Sequence, residues 1–136
     1  EPLVKICVKK GVEKFIYASS SSVYGIKKEK NVTEDMKLEP LTDYSKFKAD
    51  CEKILSMYSS NEFITTSIRP ATVCGYSPSM RLDVAVNALT FNALKNNKIK
   101  VFGGRQIRPN LNMDDMVNAY IFSIQRKLKI DICYLL

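Results

Sequence analysis

The sequence contains no histidine. A Ser-His-Asp triad and the common zinc sites are therefore excluded. Any acid/base work falls to Tyr, Lys, Asp, Glu or Cys. The cysteines Cys7, Cys51, Cys74 and Cys133 lack metal-ligand spacing. No metal is expected, and they read as reduced, partly buried thiols of a cytoplasmic protein. No apolar run reaches the roughly eighteen residues of a membrane span. The first residues, Glu1-Pro2-Leu3-Val4-Lys5, show no signal-peptide pattern. Glycine is sparse: Gly11, Gly25, Gly75, Gly103 and Gly104. They form no Gly-x-x-Gly-x-x-Gly loop, so no cradle for a dinucleotide pyrophosphate lies among these residues. Repeats and low-complexity segments are missing too.

What is present suits one soluble domain: 136 residues, 46% of them apolar. The net charge is +7. Its lysines are scattered, as Lys9-Lys10, Lys27-Lys28-Lys30, Lys95-Lys98-Lys100 and Lys127-Lys129. Nucleic-acid binders tend to interleave such charge with aromatics in one patch. The scattered pattern points to solvated helix ends and loops, so no nucleic-acid partner is expected. A small anionic substrate such as a diphosphate fits the sign equally well.

Apolar spacing predicts a helix over residues 3–10, stopped at Gly11, and a short buried strand over 14–18 that runs into Ser19-Ser20-Ser21-Ser22. Residues 26–41 are polar and Pro-containing and read as loop. A helix follows from Asp43 to Ser59, capped by Thr42 or Asp43. Residues 63–68 form a second strand, ended by Arg69-Pro70. Asp83 is expected to cap a helix to Asn97, Ile99 to Phe102 to form a strand before Gly103-Gly104, and Asp114 to cap a last long helix. Ile132 to Leu136 is a final apolar stretch. Alternating strands and helices mean an α/β fold with a parallel sheet. A parallel sheet needs several neighbours and both faces covered. With two strands that look central, the chain reads as a piece cut at both ends.

On a helix over 43–59, Tyr44, Phe47, Cys51, Ile54, Leu55 and Tyr58 fall on one apolar stripe at spacings of three and four. Lys46 and Lys53 fall outside it. Lys48 falls on the stripe, and an ammonium there is costly without a partner. Tyr44, four residues earlier, is its neighbour. A fixed ammonium beside a phenol favours the phenolate, the form a general base needs. Spacing alone equally allows Lys48 to snorkel out of the groove. The serine run adds weight, because ligands of open α/β sheets bind beyond the carboxyl ends of strands.

The order strand, serine cluster, Val23-Tyr24-Gly25, Tyr44-Ser45-Lys46-Phe47-Lys48 and Arg69-Pro70-Ala71-Thr72-Val73-Cys74-Gly75 resembles the extended short-chain dehydrogenase/reductase superfamily. It is most similar to the NAD-dependent sugar-nucleotide epimerases and dehydratases of the UDP-glucose 4-epimerase type. The resemblance implies an incomplete Rossmann-like, doubly wound parallel sheet. Residues 1–80 would be the second half of the NAD(P)-binding domain. Residues 81–136 would be part of a small substrate-binding lobe that returns into the sheet.

The resemblance also implies roles. Tyr44 is the acid/base, Lys48 holds the nicotinamide ribose, and Ser20 matches the catalytic Ser/Thr. Ser19 and Pro70 lie with Tyr44 and Lys48 on the cofactor side. Ser21 and Ser22 line the sugar pocket. Thr72 stands where many members have Asn, and Asn87 sits at the position that often touches the substrate diphosphate. Arg108, in Arg108-Pro109-Asn110-Leu111-Asn112-Met113-Asp114-Asp115, matches the diphosphate-binding arginine. Pro109 and Asn112 replace the Asp and His of that family motif.

Related dehydratases place acids, often Asp-Glu, directly after the catalytic Thr. Those positions are Ser21 and Ser22 here, and two hydroxyls serve poorly to eliminate water. The resemblance therefore implies epimerisation of a nucleotide-diphosphate sugar: hydride removal and return through a 4-keto intermediate. Dehydratase, reductase, decarboxylase and non-catalytic sugar-nucleotide-binding relatives are the alternatives. The cofactor implied is NAD or NADP, bound mainly by residues outside this chain. The full-length protein is expected to be a homodimer, and the 136 residues alone to be inactive.

Overall fold

A computed structural model describes residues 1–126 and the backbone of 132–135. The elements run α1 (Pro2–Lys9), β1 (Lys14–Ala18), a 3₁₀ turn (Ser21–Tyr24), α2 (Asp43–Tyr58), β2 (Ile64–Arg69), β3 (Thr72–Cys74), α3 (Ala85–Asn96), β4 (Asn110–Asn112), α4 (Met113–Gln125) and β5 (Ile132–Leu135).

The main sheet has strand order β1-β2-β5 and is parallel throughout. Lys14 pairs with Ile64 and Ala18 with Ile68, while Arg69 pairs with Leu135. Parallel neighbours require a crossover, and α2 supplies it between β1 and β2. A second sheet pairs β3 with β4, Thr72 opposite Asn110 and Cys74 opposite Asn112. It draws one strand from each side of residue 80.

Two apolar clusters hold these elements together. Val4 of α1, Leu55 of α2 and Phe63 pack with Cys7, Val12, Phe15, Tyr17 and Tyr58. Burying Leu55 and Phe63, the large side chains fully enclosed here, stabilises the fold by about 1.5–3 kcal/mol each. The second cluster joins Val23 and Tyr24 of the 3₁₀ turn to Ala49 of α2, with Val32, Met36 and Leu38 packed on it. The 26–41 segment, irregular as expected, is thus tied down by three apolar side chains. Glu39 N–H also donates to Val23 O at 3.0 Å.

Helix α2 begins as its sequence suggests. Thr42 Oγ1 accepts from Ser45 N–H, and Ser45 Oγ accepts from Thr42 N–H, a reciprocal capping box. Its buried face differs from the predicted stripe. Ser45, Ala49, Glu52 and Leu55 point inward, whereas Tyr44 and Phe47 are 59% and 67% exposed. The N-terminal half of α2 lies close against the 3₁₀ turn, a contact that small residues at 45 and 49 permit. The larger side chains fall outside it. Hydrophobicity alone misplaces the face because its inner positions are small or charged.

Three further expectations are corrected. Ile99 to Phe102 is not a strand. Ile99, Val101 and Phe102 are 54%, 62% and 75% exposed, and the chain bends away through Gly103 and Gly104, both at positive φ. Gln106 closes that bend by donating to Phe102 O and accepting from Gly104 N–H. Asp83 does not cap α3. The N-cap is Val84, and the Asp83 carboxylate instead accepts from Arg81 at 2.5 Å. Asp114 does not cap α4. Because β4 runs straight into that helix, Asn112 takes the position and its Oδ1 accepts from Asp114 N–H at 2.7 Å. Asp114 and Asp115 then lie in the first turn, where acidic groups complement the helix dipole. Among the described residues no helix is long and apolar enough to cross a membrane.

Candidate active site

The carboxyl ends of β1 and β2 bring most of the sequence-predicted residues together. Ser19 N–H donates to Ile68 O at 2.8 Å, and Ser21 N–H donates to Pro70 O at 3.0 Å. These bonds fix the serine run against the end of β2. Ser20 caps the 3₁₀ turn. Its Oγ accepts from Ser22 N–H at 3.2 Å and from Ser22 Oγ at 2.9 Å. A hydroxyl that accepts twice keeps its own hydrogen to give. Ser20 is thereby set up as a donor to a further oxygen.

Lys48 reaches the same place from α2. Its Nζ donates to Ala18 O, the last residue of β1, at 2.6 Å. It lies 5.0 Å from the Tyr17 ring centroid and 5.6 Å from that of Tyr44. Aromatic faces at these distances attract a cation. The ammonium has three donors, so the bond to Ala18 leaves capacity for another partner. The two tyrosines differ. Tyr17 is half-buried, and desolvation pushes its phenol well above the ordinary tyrosine range, with a hydrogen bond to Cys51 adding to the shift. It is a neutral wall for the ammonium. Tyr44 stands exposed one helical turn before Lys48.

Ser19 lies at the root of the cluster. It is 4% exposed, and its Oγ has no hydrogen-bond partner among the described residues. An orphaned buried hydroxyl is costly unless something bonds it. The Ser19 hydroxyl and the Lys48 ammonium are two groups at the end of β1 with hydrogen-bonding capacity left, of the kind a ribose hydroxyl or a carboxamide can engage. Ser19, Tyr44, Lys48 and Pro70 are the residues that would hold a nicotinamide nucleoside here.

The remaining residues lie on the second sheet and α3. Thr72 opens β3. The parallel register of β3 with β4 brings the chain that enters β4 in beside the chain that enters β3. Arg108, exposed and two residues before β4, is thus carried toward the Pro70 side. Asn87 is engaged at both ends of its amide. Its Oδ1 accepts from Gly75 N–H at 3.1 Å, and its Nδ2 donates to Arg81 O at 2.9 Å. Among the described residues, no hydrogen bond joins Asn87 or Arg108 to Ser20, Tyr44 or Lys48.

Sequence reasoning missed one feature of the site's frame. Arg69, the last residue of β2, is 7% exposed. Its Nε and Nη2 donate to the Glu52 carboxylate at 3.0 and 2.6 Å, and its Nη1 donates to Tyr24 Oη at 2.6 Å and to Glu34 O at 3.2 Å. The signal was available. Glu52 sits three residues before Leu55, on the same inward face, and a carboxylate there demands a buried cation.

This geometry can be set beside known proteins. The model of the NAD dependent epimerase/dehydratase family matches residues 1–132. YtcB of Bacillus subtilis, described as an uncharacterized UDP-glucose epimerase, is 35% identical over 119 residues, covering 86% of this chain and 37% of that protein. The UDP-glucose 4-epimerase of Lactobacillus helveticus is 29% identical, over 87% of this chain and 41% of its own length. The UDP-glucuronic acid 4-epimerase of Bacillus cereus, solved in complex with UDP-glucuronic acid and NAD, superposes with a TM-score of 0.85 at 29% identity, covering 98% of this chain and 42% of that one. The chain spans about two-fifths of the length of these relatives. With the family model matched across almost its whole length, the chain belongs to the NAD-dependent epimerase/dehydratase family.

Proposed function

We propose that this chain carries the acid/base and part of the sugar-binding half of an enzyme that epimerises a nucleotide-diphosphate sugar at C4. The observation that carries the reading is the Lys48 ammonium, held between Ala18 O and the Tyr44 ring, at the same strand end that leads into Ser20, whose hydroxyl hydrogen is left to donate. Tyr44 takes the proton from the sugar hydroxyl and later returns it. Ser20 donates to the same oxygen and stabilises it as it becomes a carbonyl. Lys48 orients the ribose side and supports the charge on Tyr44. When bound, NAD supplies the acceptor and donor of hydride. Ser19 and Pro70 would face it. Ser21, Ser22 and Thr72 line the sugar side, and Asn87 and the Arg108 fork face the diphosphate.

Two features favour epimerisation over loss of water. Positions 21 and 22 supply hydroxyls only, and the Ser22 hydroxyl is already bonded to Ser20. We read the whole protein as a cytoplasmic homodimer without nucleic-acid or membrane partners. The exposed apolar Leu3 and Ile6 on α1 and Phe47 and Met57 on α2 support a partner surface there. Domain roles follow the same reading, with residues 1–80 as the second half of the cofactor-binding domain with its catalytic helix and residues 81–136 as part of the substrate-binding lobe that supplies Asn87 and Arg108.

The test uses the whole protein with NAD and a panel of UDP-sugars carrying deuterium at C4. Formation of the C4 epimer with the label retained at C4 is expected. Loss of water from the sugar, or migration of the label to another carbon, would refute the epimerase reading. The 136-residue chain alone is expected to be inactive.

A further inference from the structure

Arg69 is given no chemical role above, yet it joins the end of β2, helix α2 and the turn that Ser20 caps. It ends β2, one residue before Pro70, whose carbonyl accepts from Ser21 N–H. It grips Glu52, four residues after Lys48 on α2. Its third nitrogen holds the hydroxyl of Tyr24, the last residue of the turn that Ser20 caps, and the main chain at Glu34. The guanidinium also lies 5.0 Å from the Tyr24 ring centroid. The side chains of both Arg69 and Glu52 are 9% exposed.

We propose that Arg69 is a positioning residue that fixes the Ser20–Tyr24 turn against α2, and so sets the distance from the Ser20 hydroxyl to Tyr44 and Lys48. The chemistry explains why an arginine serves. Its planar fork can hold a carboxylate with two nitrogens while a third points elsewhere. A lysine could not span Glu52, Tyr24 and Glu34 together. A hydrophobic replacement would fill the space but would leave the turn tied to β2 only through main-chain bonds. Bringing groups on two elements to one reacting oxygen demands such a frame, because small displacements lower turnover sharply. The functional part of this inference rests on the proposed epimerisation. The geometric part does not.

Two variants of the whole protein test it. Tyr24→Phe removes one hydroxyl and leaves the Arg69–Glu52 pair intact. The double variant Arg69→Met with Glu52→Leu exchanges the buried pair for apolar groups of similar volume, a change that buried ion pairs often tolerate. Amide hydrogen exchange of the 19–24 segment is measured beside the 51–58 segment of α2, together with kcat, KM and the melting temperature. Expected for both variants is faster exchange in 19–24 with 51–58 unchanged, a fall in kcat of about ten-fold or more, and KM within about two-fold. Unchanged exchange in 19–24, or exchange raised equally throughout the fold, would overturn the positioning role. So would selective loosening of 19–24 with unchanged kcat. If the wild type turns over no sugar nucleotide, the proposed function fails, and the exchange result still decides whether Arg69 fixes the turn.

Discussion

The ammonium of Lys48 lies 5.6 Å from the centroid of the Tyr44 ring while donating to the last carbonyl of β1, at Ala18, at 2.6 Å. A helix residue and a strand end are thereby locked together beside an exposed phenol. Lys48→Met should keep the fold. Lys48 is half-buried, and Ala18 is exposed, so water can take over its carbonyl. In the whole protein, turnover should fall by about 10²–10⁴, measured with a melting curve on the same sample.

Removing one member of the buried Glu52–Arg69 pair should cost more than removing both. Glu52→Ala leaves a buried guanidinium enclosed with Tyr24 and Glu34 and stripped of its two-nitrogen bond to the Glu52 carboxylate. A loss of about 3–5 kcal/mol is expected, and the apolar double replacement should lose far less. Denaturant titrations of the three proteins give the comparison directly.

Two glycines at similar positive φ should respond differently to alanine. At Gly25 (φ +72) an added Cβ would meet Glu39 O at 2.1 Å, whereas at Gly11 (φ +70) it would meet nothing within 4 Å. Gly11→Ala should cost only the backbone term, about 1–2 kcal/mol. Gly25→Ala must in addition push away the Glu39 main chain that returns to Val23. Its melting temperature should fall well below that of Gly11→Ala.

Lys14, the first residue of β1, donates to the Ser123 and Ile124 carbonyls at 3.1 and 3.0 Å and also to Arg126 O. A cation at a helix C-terminus satisfies carbonyls left free there and opposes the dipole. Lys14→Met should destabilise the protein by about 1–2 kcal/mol and speed amide exchange in the last turn of α4. An unchanged melting temperature would show that the contact contributes nothing.

The parts legible in the sequence were those written in local chemistry. Thr42 announced the start of α2, and apolar runs announced β1 and β2. The order of the serine run, Tyr44, Lys48 and Arg69-Pro70 announced the family. The illegible parts depend on partners distant in the chain. The inward face of α2 is chosen by what it packs on, so Ser45 and Ala49 are buried while Tyr44 and Phe47 are not. The β3–β4 pair joins two three-residue strands too short to show a period. Ile99 to Phe102 has the composition of a strand, but strand formation requires a neighbour, and among the described residues it has none. Glu52 on the inward face of α2 asks for a buried cation, but only the packing of α2 on β2 shows that Arg69 supplies it.

The acid/base role of Tyr44 is the central claim, and one substitution addresses it. Tyr44 is 59% exposed, so Tyr44→Phe removes an oxygen without opening the core. In the whole protein with NAD and the UDP-sugar it turns over, Tyr44→Phe should lower kcat by about 10²–10⁴ at an unchanged melting temperature. Full turnover by the folded variant would contradict the role of Tyr44 and the mechanism built on it.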